Sequence, residues 1–315
     1  MLECFITQPV HDAALKFLNE RGIATRYASA ADMPTVIREI GGADAVITRD
    51  LGLDRSAIER AEKLKIISCH GAGTNRVDKV VAKEKGIIVT NAPGANSQSV
   101  AELTIGLILS CARNVKDADR AVRDDDWGFR YRTNGIELEG KTLGLIGFGT
   151  IAQKVTKIAR NGFGMRVIAW SPNVPQAVFD NYGVSRCETV EVLLADADVI
   201  SLHRAGEQGD TPLINARTLG MMKPRAILVN AGRGFAIDQY DLAQALRAQC
   251  LHGAALDVLQ HEPPQTDDPI LRAPSLILTP HLGGTTEEAL ERMAVTCANQ
   301  VFTALTGGEP AFRIA

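Results

Sequence analysis

The sequence lacks the features that mark several classes of protein. It has no uninterrupted apolar stretch of about 18 residues, the length that a membrane-spanning helix needs, because the longest candidate, LTIGLILSCA, is too short. The first residues, MLECFITQPV, contain neither a basic leader nor a long apolar core, so we expect no signal peptide. The net charge of −3 provides no basic field for binding nucleic acid or an anionic membrane.

Cysteine is sparse and scattered. The cysteines form no CxxC pair and no spacing typical of a zinc site or of a disulfide framework. We therefore expect reduced, buried thiols, no bound metal and a cytoplasmic location. The six cysteines are Cys4, Cys69, Cys111, Cys187, Cys250 and Cys297.

The sequence does contain a regular alternation of short apolar runs with amphipathic segments. Runs such as KIISCH and AILVNAG are separated by segments such as DQYDLAQALRAQ. This alternation predicts parallel sheets joined by crossover helices. The length of 315 residues suggests two domains. The predicted fold class is α/β with two doubly wound parallel-sheet domains, a Rossmann cofactor domain and a discontinuous flavodoxin-like substrate domain.

The predicted boundary follows the stretch NAPGAN. We expect residues 98–285 to form the dinucleotide-binding domain and residues 1–97 with 286–315 to form the substrate domain, because no strand follows the last helix. SVAELTIGLILSCARNVKDADRAV predicts one long helix that is apolar nearly all round in its first half. The next stretch, around Trp127, predicts an irregular arm with exposed aromatic side chains. Such apolar surface on a monomer predicts a homodimer.

The sharpest local motif is GFGTIA, which follows a predicted strand and opens a predicted helix. Gly147 allows a tight turn, Gly149 lets the backbone approach a pyrophosphate, and Ala152 lets the helix pack closely on the strand. Thr150 and Ile151 begin the helix, whose N-terminal N–H groups suit a phosphate. The alternative is a purely structural turn, but the strand before the motif and the helix after it favour dinucleotide binding.

The next predicted strand, MRVIAW, ends without the acidic residue that binds the ribose hydroxyls in NAD-specific proteins. Ser171 stands there, followed by Pro172 and Asn173. No carboxylate repels a 2′-phosphate at this position, and no adjacent arginine attracts one. The sequence therefore favours NAD as the cofactor and leaves NADP possible.

Polar residues follow several other predicted strands, and open α/β sheets bind ligands at the carboxyl ends of their strands. Each residue also has a structural interpretation, such as a solvated turn for Arg233, a surface charge for Glu262 or a neighbour of a helix cap for His281. Together they supply complementary charges beside a dinucleotide fold, which favours a catalytic site. The candidates are His203, Arg233, Asp257, Glu262 and His281.

Six stretches, in order along the chain, resemble the D-isomer-specific 2-hydroxyacid dehydrogenases, a family that includes phosphoglycerate dehydrogenase and hydroxypyruvate or glyoxylate reductases. They are GAGTNRVD, NAPGANSQSVAELT, GKTLGLIGFGTIA, LVNAGRGFAID, GAALDVLQHEP and LTPHLGGTTEEA. The resemblance implies an NAD(P)-dependent oxidoreductase that transfers hydride between nicotinamide and a small 2-keto or D-2-hydroxy acid.

The resemblance also implies three catalytic residues. Arg233 binds the substrate carboxylate and polarises its keto oxygen, and His281 donates a proton to that oxygen during reduction. Glu262 hydrogen-bonds the imidazole and favours its protonated form. A cationic donor fits this reaction, because hydride addition to a ketone develops negative charge on the oxygen.

The same resemblance assigns binding residues. The backbone N–H groups of Ala72 and Gly73 hold the substrate carboxylate, and Asn96, at the hinge into the cofactor domain, adds a substrate contact. Thr104 reaches the cofactor phosphates, and Asp257 binds the nicotinamide carboxamide. The further residues assigned to the cofactor site are His203, Ala231, Gly232, Arg233, His281, Gly283 and Gly284.

The chain departs from the family pattern at several places. Ser171 replaces the usual acid, and Gly232 stands where serine or alanine is commoner, which loosens the loop holding Arg233. HRAGEQGDTPLI lacks the apolar-proline start that is common after that strand. Arg49 is the only candidate for binding a substrate phosphate, so a small unphosphorylated acid such as hydroxypyruvate or glyoxylate is favoured. We expect no regulatory domain after the last helix.

Three other functions fit the same motifs. Formate dehydrogenases of this superfamily use glutamine where Glu262 stands, so the acid favours 2-hydroxyacid chemistry. A dinucleotide-sensing corepressor shares the fold but acts through peptide-binding surfaces and extra tails, and the sequence has no disordered tail. A binding protein of the same fold without turnover is the third alternative.

Overall fold

The computed structural model describes residues 1–204, 209 and 211–315. Within this part, the chain forms two compact units, one made of Met1–Asn96 with Gly284–Ala315 and the other of Ser97–Gly283. We call them the discontinuous unit and the continuous unit. Each contains one parallel sheet flanked by helices, so the predicted α/β fold class is confirmed.

The discontinuous unit contains five strands and five helices. The strands are β1 (Glu3–Ile6), β2 (Ala24–Tyr27), β3 (Ala45–Thr48), β4 (Ile66–Cys69) and β5 (Ile88–Thr90). The helices are α1 (Asp12–Asn19), α2 (Met33–Glu39), α3 (Arg55–Arg60), α4 (Lys79–Glu84) and α12 (Glu287–Leu305). The sheet order is β2-β1-β3-β4-β5 with all pairs parallel, which is the flavodoxin-like doubly wound order.

Local sequence signals explain these elements. The side chains of Asp32, Asp54 and Asp78 accept a first-turn N–H of α2, α3 and α4 respectively and so fix where these helices begin. Strands β3 and β4 are buried at every position, as expected where helices cover both faces of a parallel sheet. The C-terminal helix α12 contributes Cys297 and Val301 to the core around β1.

The continuous unit is built around a larger sheet. Its strands are β6 (Thr142–Ile146), β7 (Arg166–Trp170), β8 (Ser185–Arg186), β9 (Val199–Leu202), β10 (Ile227–Asn230), β11 (Gly253–Leu256) and β12 (Leu276–Leu278). Its α-helices are α5 (Ser97–Ala112), α6 (Val115–Arg123), α7 (Thr150–Phe163), α8 (Gln176–Tyr182), α9 (Val190–Asp196), α10 (Ala216–Leu219) and α11 (Gln239–Arg247). Its 3₁₀ helices are Trp127–Tyr131, Gly234–Ala236 and Pro269–Arg272.

The strand order of the continuous unit determines where a ligand can bind. The order is β12-β11-β10-β9-β6-β7-β8, and every pair is parallel. This is a Rossmann sheet extended by β12. The chain leaves β6 towards β7 and returns to the other side of β6 at β9, so the order reverses between β6 and β9. The carboxyl ends of these strands meet at one edge of the sheet, where dinucleotides bind in such folds.

The prediction of one long helix after residue 98 is wrong, because two helices, α5 and α6, occupy this stretch. Asn114 separates them with a φ of 51°, in the left-handed region that asparagine tolerates. Its Nδ2 donates to Thr133 Oγ1 at 2.9 Å. The apolar residues of α5, such as Ile105 and Ile108, lie in the core of the continuous unit itself. The exposed apolar surface expected on this helix is therefore largely absent from the described residues.

The cysteines lie among the described residues, and none forms a disulfide. Five are buried, as predicted, and Cys250 is exposed. Burial raises the pKa of Cys111 to about 12, so this thiol is unreactive at neutral pH. None of the described helices is both long enough and apolar enough to cross a membrane.

Candidate functional site

The GFGTIA turn joins β6 to α7 and contains two glycines with different roles. Gly147 has a φ of 93°, and its N–H donates to the Trp170 carbonyl oxygen at 2.8 Å. A Cβ on Gly147 would lie 2.8 Å from the His203 carbonyl oxygen, so the fold itself requires glycine there. A Cβ on Gly149 would meet no atom within 4 Å. Internal packing does not explain Gly149, and the open space beside it suits a ligand.

The N-terminus of α7 faces the same turn. Gly149 is its N-cap residue and supplies no side-chain hydrogen bond to the first N–H groups of this 14-residue helix. Ala152 is fully buried, which allows close packing against the sheet. A helix N-terminus without a side-chain cap, beside open space, can accept a phosphate group. These residues fit the pyrophosphate of a dinucleotide.

His203 follows β9 and lies next to the glycine turn. Its Nε2 is 2.9 Å from Ser201 Oγ. Its Nδ1 is buried with no hydrogen-bond partner among residues 1–204, 209 and 211–315. Burial lowers the pKa of His203 to about 4, so the ring is neutral at neutral pH. His203 is therefore suited to contact a polar ligand group and unsuited to act as a cationic proton donor.

Arg233 lies in a loop after β10 that Asn230 holds in place. Asn230 is fully buried, its Oδ1 accepts the Gly232 N–H at 3.0 Å, and its Nδ2 donates to the Arg233 carbonyl oxygen at 2.9 Å. The loosening of this loop expected from Gly232 is therefore offset by Asn230. Burial lowers the pKa of the Arg233 guanidinium, and the carboxylate of Glu262 acts in the opposite direction. Sequence reasoning missed Asn230, whose only signal is its place at the end of an apolar strand.

Gly234 brings the Arg233 loop against the segment that carries Glu262. A Cβ on Gly234 would collide with the carbonyl oxygen of Leu259, which is backbone and has little room to move. Close contact between the two segments thus depends on glycine at this position. Glu262 accepts the Leu259 N–H, so this contact brings the Arg233 loop to the segment that holds the carboxylate.

We expect Gly234→Ala to lower the free energy of unfolding by about 1–3 kcal/mol, because the added methyl group must displace backbone. Chemical denaturation of the full chain measures this effect. Gly162→Ala is the matched control, since a Cβ there meets no atom within 4 Å and the residue is helical. It should keep or raise the stability. Equal stability of Gly234→Ala and the wild type would contradict the close packing.

His281 and Glu262 form a hydrogen-bonded pair. His281 Nδ1 is 2.9 Å from Glu262 Oε2, and Glu262 Oε1 accepts the Leu259 N–H at 3.1 Å. The side chains of His281 and Glu262 are 43% and 28% exposed, so a substrate can reach the imidazole. A carboxylate at this distance favours the protonated imidazole.

Asp257 supports the turn that carries His281. His281 has a φ of 55°, which is uncommon for a residue other than glycine. The buried Asp257 carboxylate accepts three hydrogen bonds, from Thr279 Oγ1 at 2.6 Å, the Leu282 N–H at 2.7 Å and the Gly283 N–H at 2.8 Å. These bonds hold the backbone on both sides of the imidazole. Its contact with a nicotinamide carboxamide stays a prediction.

Most residues predicted for the continuous unit follow strands at one edge of its sheet. Thr150 and Ile151 form the first turn of α7, directly after the glycine turn. Thr104 lies elsewhere. It is fully buried in α5, and its hydroxyl donates to the Val100 carbonyl oxygen at 2.8 Å, so this arrangement gives no support to a contact with cofactor phosphates. Most of the unusual connection AGEQGD, residues 205–208 and 210, lies outside the described residues. The residues that follow strands are Gly147, Gly149, Ser171, His203, Ala231, Gly232, Arg233, Asp257, His281 and Gly283.

The predicted carboxylate loop of the discontinuous unit follows β4. The Gly71 carbonyl oxygen accepts the Ala92 N–H at 2.8 Å, and the Ala72 carbonyl oxygen accepts Asn91 Nδ2 at 2.8 Å. Ala72 and Gly73 are exposed. The loop is therefore held by its carbonyl groups. Sequence reasoning missed Asn91, because a hydrogen bond across 19 residues leaves no local signal.

Three more residues of interest, Asn96, Gly284 and His70, lie in the discontinuous unit. Gly284 lies close to Asn96, since a Cβ on it would be 2.9 Å from Asn96 Nδ2. His70, next to the carboxylate loop, is buried. Burial, with a smaller effect of the Arg49 charge, lowers the pKa of His70 to about 4. His70 is thus neutral at neutral pH and is not a candidate proton donor.

The chain is similar to proteins of a known family. Residues 105–283 match the family model described as D-isomer specific 2-hydroxyacid dehydrogenase, NAD binding domain. The chain is 40% identical over 308 residues to the D-3-phosphoglycerate dehydrogenase of Methanocaldococcus jannaschii, an alignment that covers 98% of this chain and 58% of that protein. The chain thus spans less than two thirds of the length of this archaeal relative.

Two solved structures share the fold over nearly the whole chain. The TT0316 protein from Thermus thermophilus is 32% identical with a TM-score of 0.90, and the match covers 100% of both chains. A glyoxylate reductase from Paecilomyes thermophila is 26% identical with a TM-score of 0.87, covering 99% of this chain and 98% of the other. From its motifs, its fold and these similarities, the chain belongs to the D-isomer specific 2-hydroxyacid dehydrogenase family.

Proposed function

We propose that this protein catalyses hydride transfer between a nicotinamide dinucleotide and a small 2-keto or D-2-hydroxy acid. The observation that carries the proposal is the His281–Glu262 pair, with Nδ1 and Oε2 2.9 Å apart, at the sheet edge that also carries the dinucleotide turn. The Arg233 loop packs against the segment to which Glu262 is hydrogen-bonded. Membership of the family supports it, as do relatives named phosphoglycerate dehydrogenase and glyoxylate reductase.

The proposal gives a role to each site residue of the continuous unit that is named below. The turn from Gly147 to Ala152 binds the dinucleotide, whose nicotinamide supplies or accepts the hydride. Arg233 binds the substrate carboxylate and polarises the keto oxygen. Glu262 holds Nδ1 of His281, so Nε2 is the nitrogen that delivers the proton in reduction and takes it back in oxidation.

We assign the two units different roles. The continuous unit, Ser97–Gly283, is the dinucleotide-binding domain, and the discontinuous unit is the substrate domain. In the discontinuous unit, the N–H groups of Ala72 and Gly73 bind a carboxylate, since Asn91 and Ala92 hold the carbonyl groups of the loop.

The preferred substrate is a small unphosphorylated acid such as glyoxylate or hydroxypyruvate. Arg49, the candidate for binding a substrate phosphate, already donates from Nη1 to the Pro9 carbonyl oxygen at 2.8 Å. One arginine that already donates to a backbone carbonyl oxygen is a weak site for a phosphate dianion, because phosphate recognition usually combines several donors. Phosphohydroxypyruvate should therefore be the poorer substrate.

The direct test is reduction of a panel of 2-keto acids, followed by loss of the absorbance of NADH or NADPH. The panel contains glyoxylate, hydroxypyruvate, pyruvate and phosphohydroxypyruvate. The proposal predicts turnover, fastest with the small unphosphorylated acids. Dinucleotide binding without turnover on any keto acid would instead favour a sensor or corepressor. Formate oxidation without keto-acid reduction would favour a formate dehydrogenase, against the presence of Glu262.

Gly149→Ala tests the dinucleotide site without disturbing the fold. We expect the affinity for NADH to fall by about 10- to 100-fold, which corresponds to roughly 1.4–2.7 kcal/mol, because the methyl group occupies the space open to a pyrophosphate. The free energy of unfolding should stay within about 0.5 kcal/mol of the wild-type value. NADH fluorescence titration and chemical denaturation measure the two quantities. Gly162→Ala, in the same helix, is the control that should bind NADH normally, and unchanged NADH binding by Gly149→Ala would place the dinucleotide elsewhere.

We propose a homodimer and a cytoplasmic location. The 3₁₀ helix at Trp127–Tyr131 exposes 67% of Trp127 and 80% of Tyr131, and α6 exposes 59% of Val122. Exposed aromatic and apolar side chains of this kind suit an interface between subunits. Light scattering at micromolar concentration should give twice the mass of one chain, and a monomer would refute the dimer.

The proposed cytoplasmic location is supported by the unpaired cysteines, which fit a reducing compartment.

A further inference from the structure

We propose that the cofactor site prefers NADP(H) over NAD(H), because two arginines contact the residues on either side of Ser171 in the sequence, Trp170 and Pro172. The inference rests on the proposed dinucleotide binding at the turn from Gly147 to Ala152. It concerns the 2′-phosphate of the adenosine ribose, the group that distinguishes the two cofactors. The arginines are Arg204, which follows β9, and Arg186, the last residue of β8.

Arg204 reaches the end of β7 from the other side of the glycine turn. The Gly147 N–H bonds to the carbonyl oxygen of Trp170, while a Cβ on Gly147 would lie 2.9 Å from the backbone nitrogen of Arg204. The ends of β7 and β9 therefore flank the same turn. The Arg204 guanidinium carbon lies 5.8 Å from the centre of the Trp170 ring. Its side chain thus reaches the ring of Trp170, the residue before Ser171.

Arg186 approaches from the opposite side. Strand β8 pairs with β7, with Arg186 opposite Ala169. Arg186 Nη2 donates to the Pro172 carbonyl oxygen at 3.1 Å, and the guanidinium carbon lies 5.6 Å from the centre of the Phe179 ring. The guanidinium group is therefore held beside the Ser171–Pro172 segment.

Neither guanidinium group is neutralised by a carboxylate of the described residues. In this part of the chain, Arg186 and Arg204 form no salt bridge, whereas Arg166 on β7 pairs with Asp196. Both arginines are exposed, so a ligand can reach them. Two positive charges therefore lie by the end of β7, one at the Trp170 ring and one at the Pro172 carbonyl oxygen.

This arrangement matches the chemistry of a 2′-phosphate. In NAD-specific Rossmann domains, an acidic residue at the end of the second strand binds the ribose diol and repels a phosphate. Ser171 removes that repulsion and offers a hydroxyl donor. Guanidinium groups form paired, charge-assisted hydrogen bonds with phosphate oxygens. The site lacks the group that selects NAD and has the groups that bind the additional phosphate of NADP.

The test compares binding of ADP-ribose and its 2′-phosphate by isothermal titration calorimetry, which does not depend on turnover. We expect the wild type to bind the 2′-phosphate at least tenfold more tightly, a difference of about 1.4 kcal/mol. Arg204→Ser should reduce that ratio by about tenfold, and Arg186→Ser should reduce it severalfold. The preference should also shrink as salt is raised, because the arginines are exposed.

Arg272→Ser is the matched control. Arg272 is also exposed, but it precedes β12, the outermost strand on the side of the sheet opposite to β8. It should leave the ratio unchanged. Equal affinity of the wild type for the two ligands would overturn the inference. An equal loss of affinity for both ligands in Arg204→Ser would also overturn the inference, because the arginine would then contact adenine rather than phosphate. Failure of the wild type to bind either ligand would overturn the dinucleotide site itself.

Discussion

Replacing His281 with glutamine is expected to lower kcat for keto-acid reduction by about 100- to 10,000-fold, the usual contribution of a general acid. Glutamine keeps a polar side chain of similar length but cannot donate a proton as imidazolium does. The His281 backbone is held by Asp257, so the substitution should leave the turn largely intact. Steady-state reduction of glyoxylate by the purified variant measures the loss.

Two controls show whether the loss of kcat is specific to the proton donor. Most of the NADH affinity should be retained in His281→Gln, because His281 is only one of the residues assigned to the cofactor site and the dinucleotide turn lies at a different strand of the sheet. His261→Gln removes an exposed imidazole that has no predicted role and should keep wild-type activity. A His281→Gln variant with more than about a tenth of the wild-type kcat would exclude His281 as the proton donor.

Replacing Arg233 with alanine is expected to lower kcat/KM for keto acids by about 100- to 10,000-fold. The estimate assumes two lost charge-assisted hydrogen bonds of about 1.5–3 kcal/mol each, one to the carboxylate and one to the keto oxygen. Arg233→Lys keeps the charge but loses the fork-shaped donor group, so its activity should fall between those of alanine and arginine. Steady-state kinetics over a range of glyoxylate concentrations give kcat/KM for each variant.

The matched control for Arg233 is Arg247→Ala. Arg247 is also an arginine that donates to a backbone carbonyl oxygen, that of Pro269, at 3.0 Å, but it lies on α11 away from the strand ends. Its replacement should leave kcat/KM within about twofold of the wild-type value. If Arg233→Ala loses no more activity than Arg247→Ala, Arg233 does not bind the substrate carboxylate.

Much of the fold could be predicted from the sequence because buried parallel strands are apolar at nearly every position. Strands such as β4 and β10 have this character and are predicted correctly. The edge strands β2 and β8 were missed. Both residues of β8 are exposed, and no position of β2 is fully buried, so an apolar run does not mark them.

The break between α5 and α6 could not be predicted from periodicity either. Nothing near Asn114 is glycine or proline, the residues that usually end a helix. The break depends on a left-handed asparagine and on its hydrogen bond to Thr133, which lies 19 residues away. Such a contact exists only once the following arm has folded back onto the helix end.

The candidate site could be predicted in part, since residues after parallel strands meet at one edge of a sheet. This argument, with the family resemblance, pointed to Arg233, Glu262 and His281. It could not find Asn230, which acts through hydrogen bonds within a loop, nor Arg204, which lies 33 positions after Ser171 in the sequence. The strand order brings Arg204 to the ring of Trp170, the residue before that serine, and strand order is not visible in a local motif.

The most direct test of the account is the pH dependence of glyoxylate reduction by the wild type and by Glu262→Gln. Reduction needs imidazolium at His281, and the Glu262 carboxylate, 2.9 Å away, stabilises that charged form. As pH rises, the rate should therefore begin to fall at a lower pH in Glu262→Gln than in the wild type. The two proteins should differ by about 10- to 100-fold above neutrality and less in mild acid. Identical pH profiles, or a fall at higher pH in Glu262→Gln, would contradict the proposal that Glu262 keeps His281 ready to donate a proton.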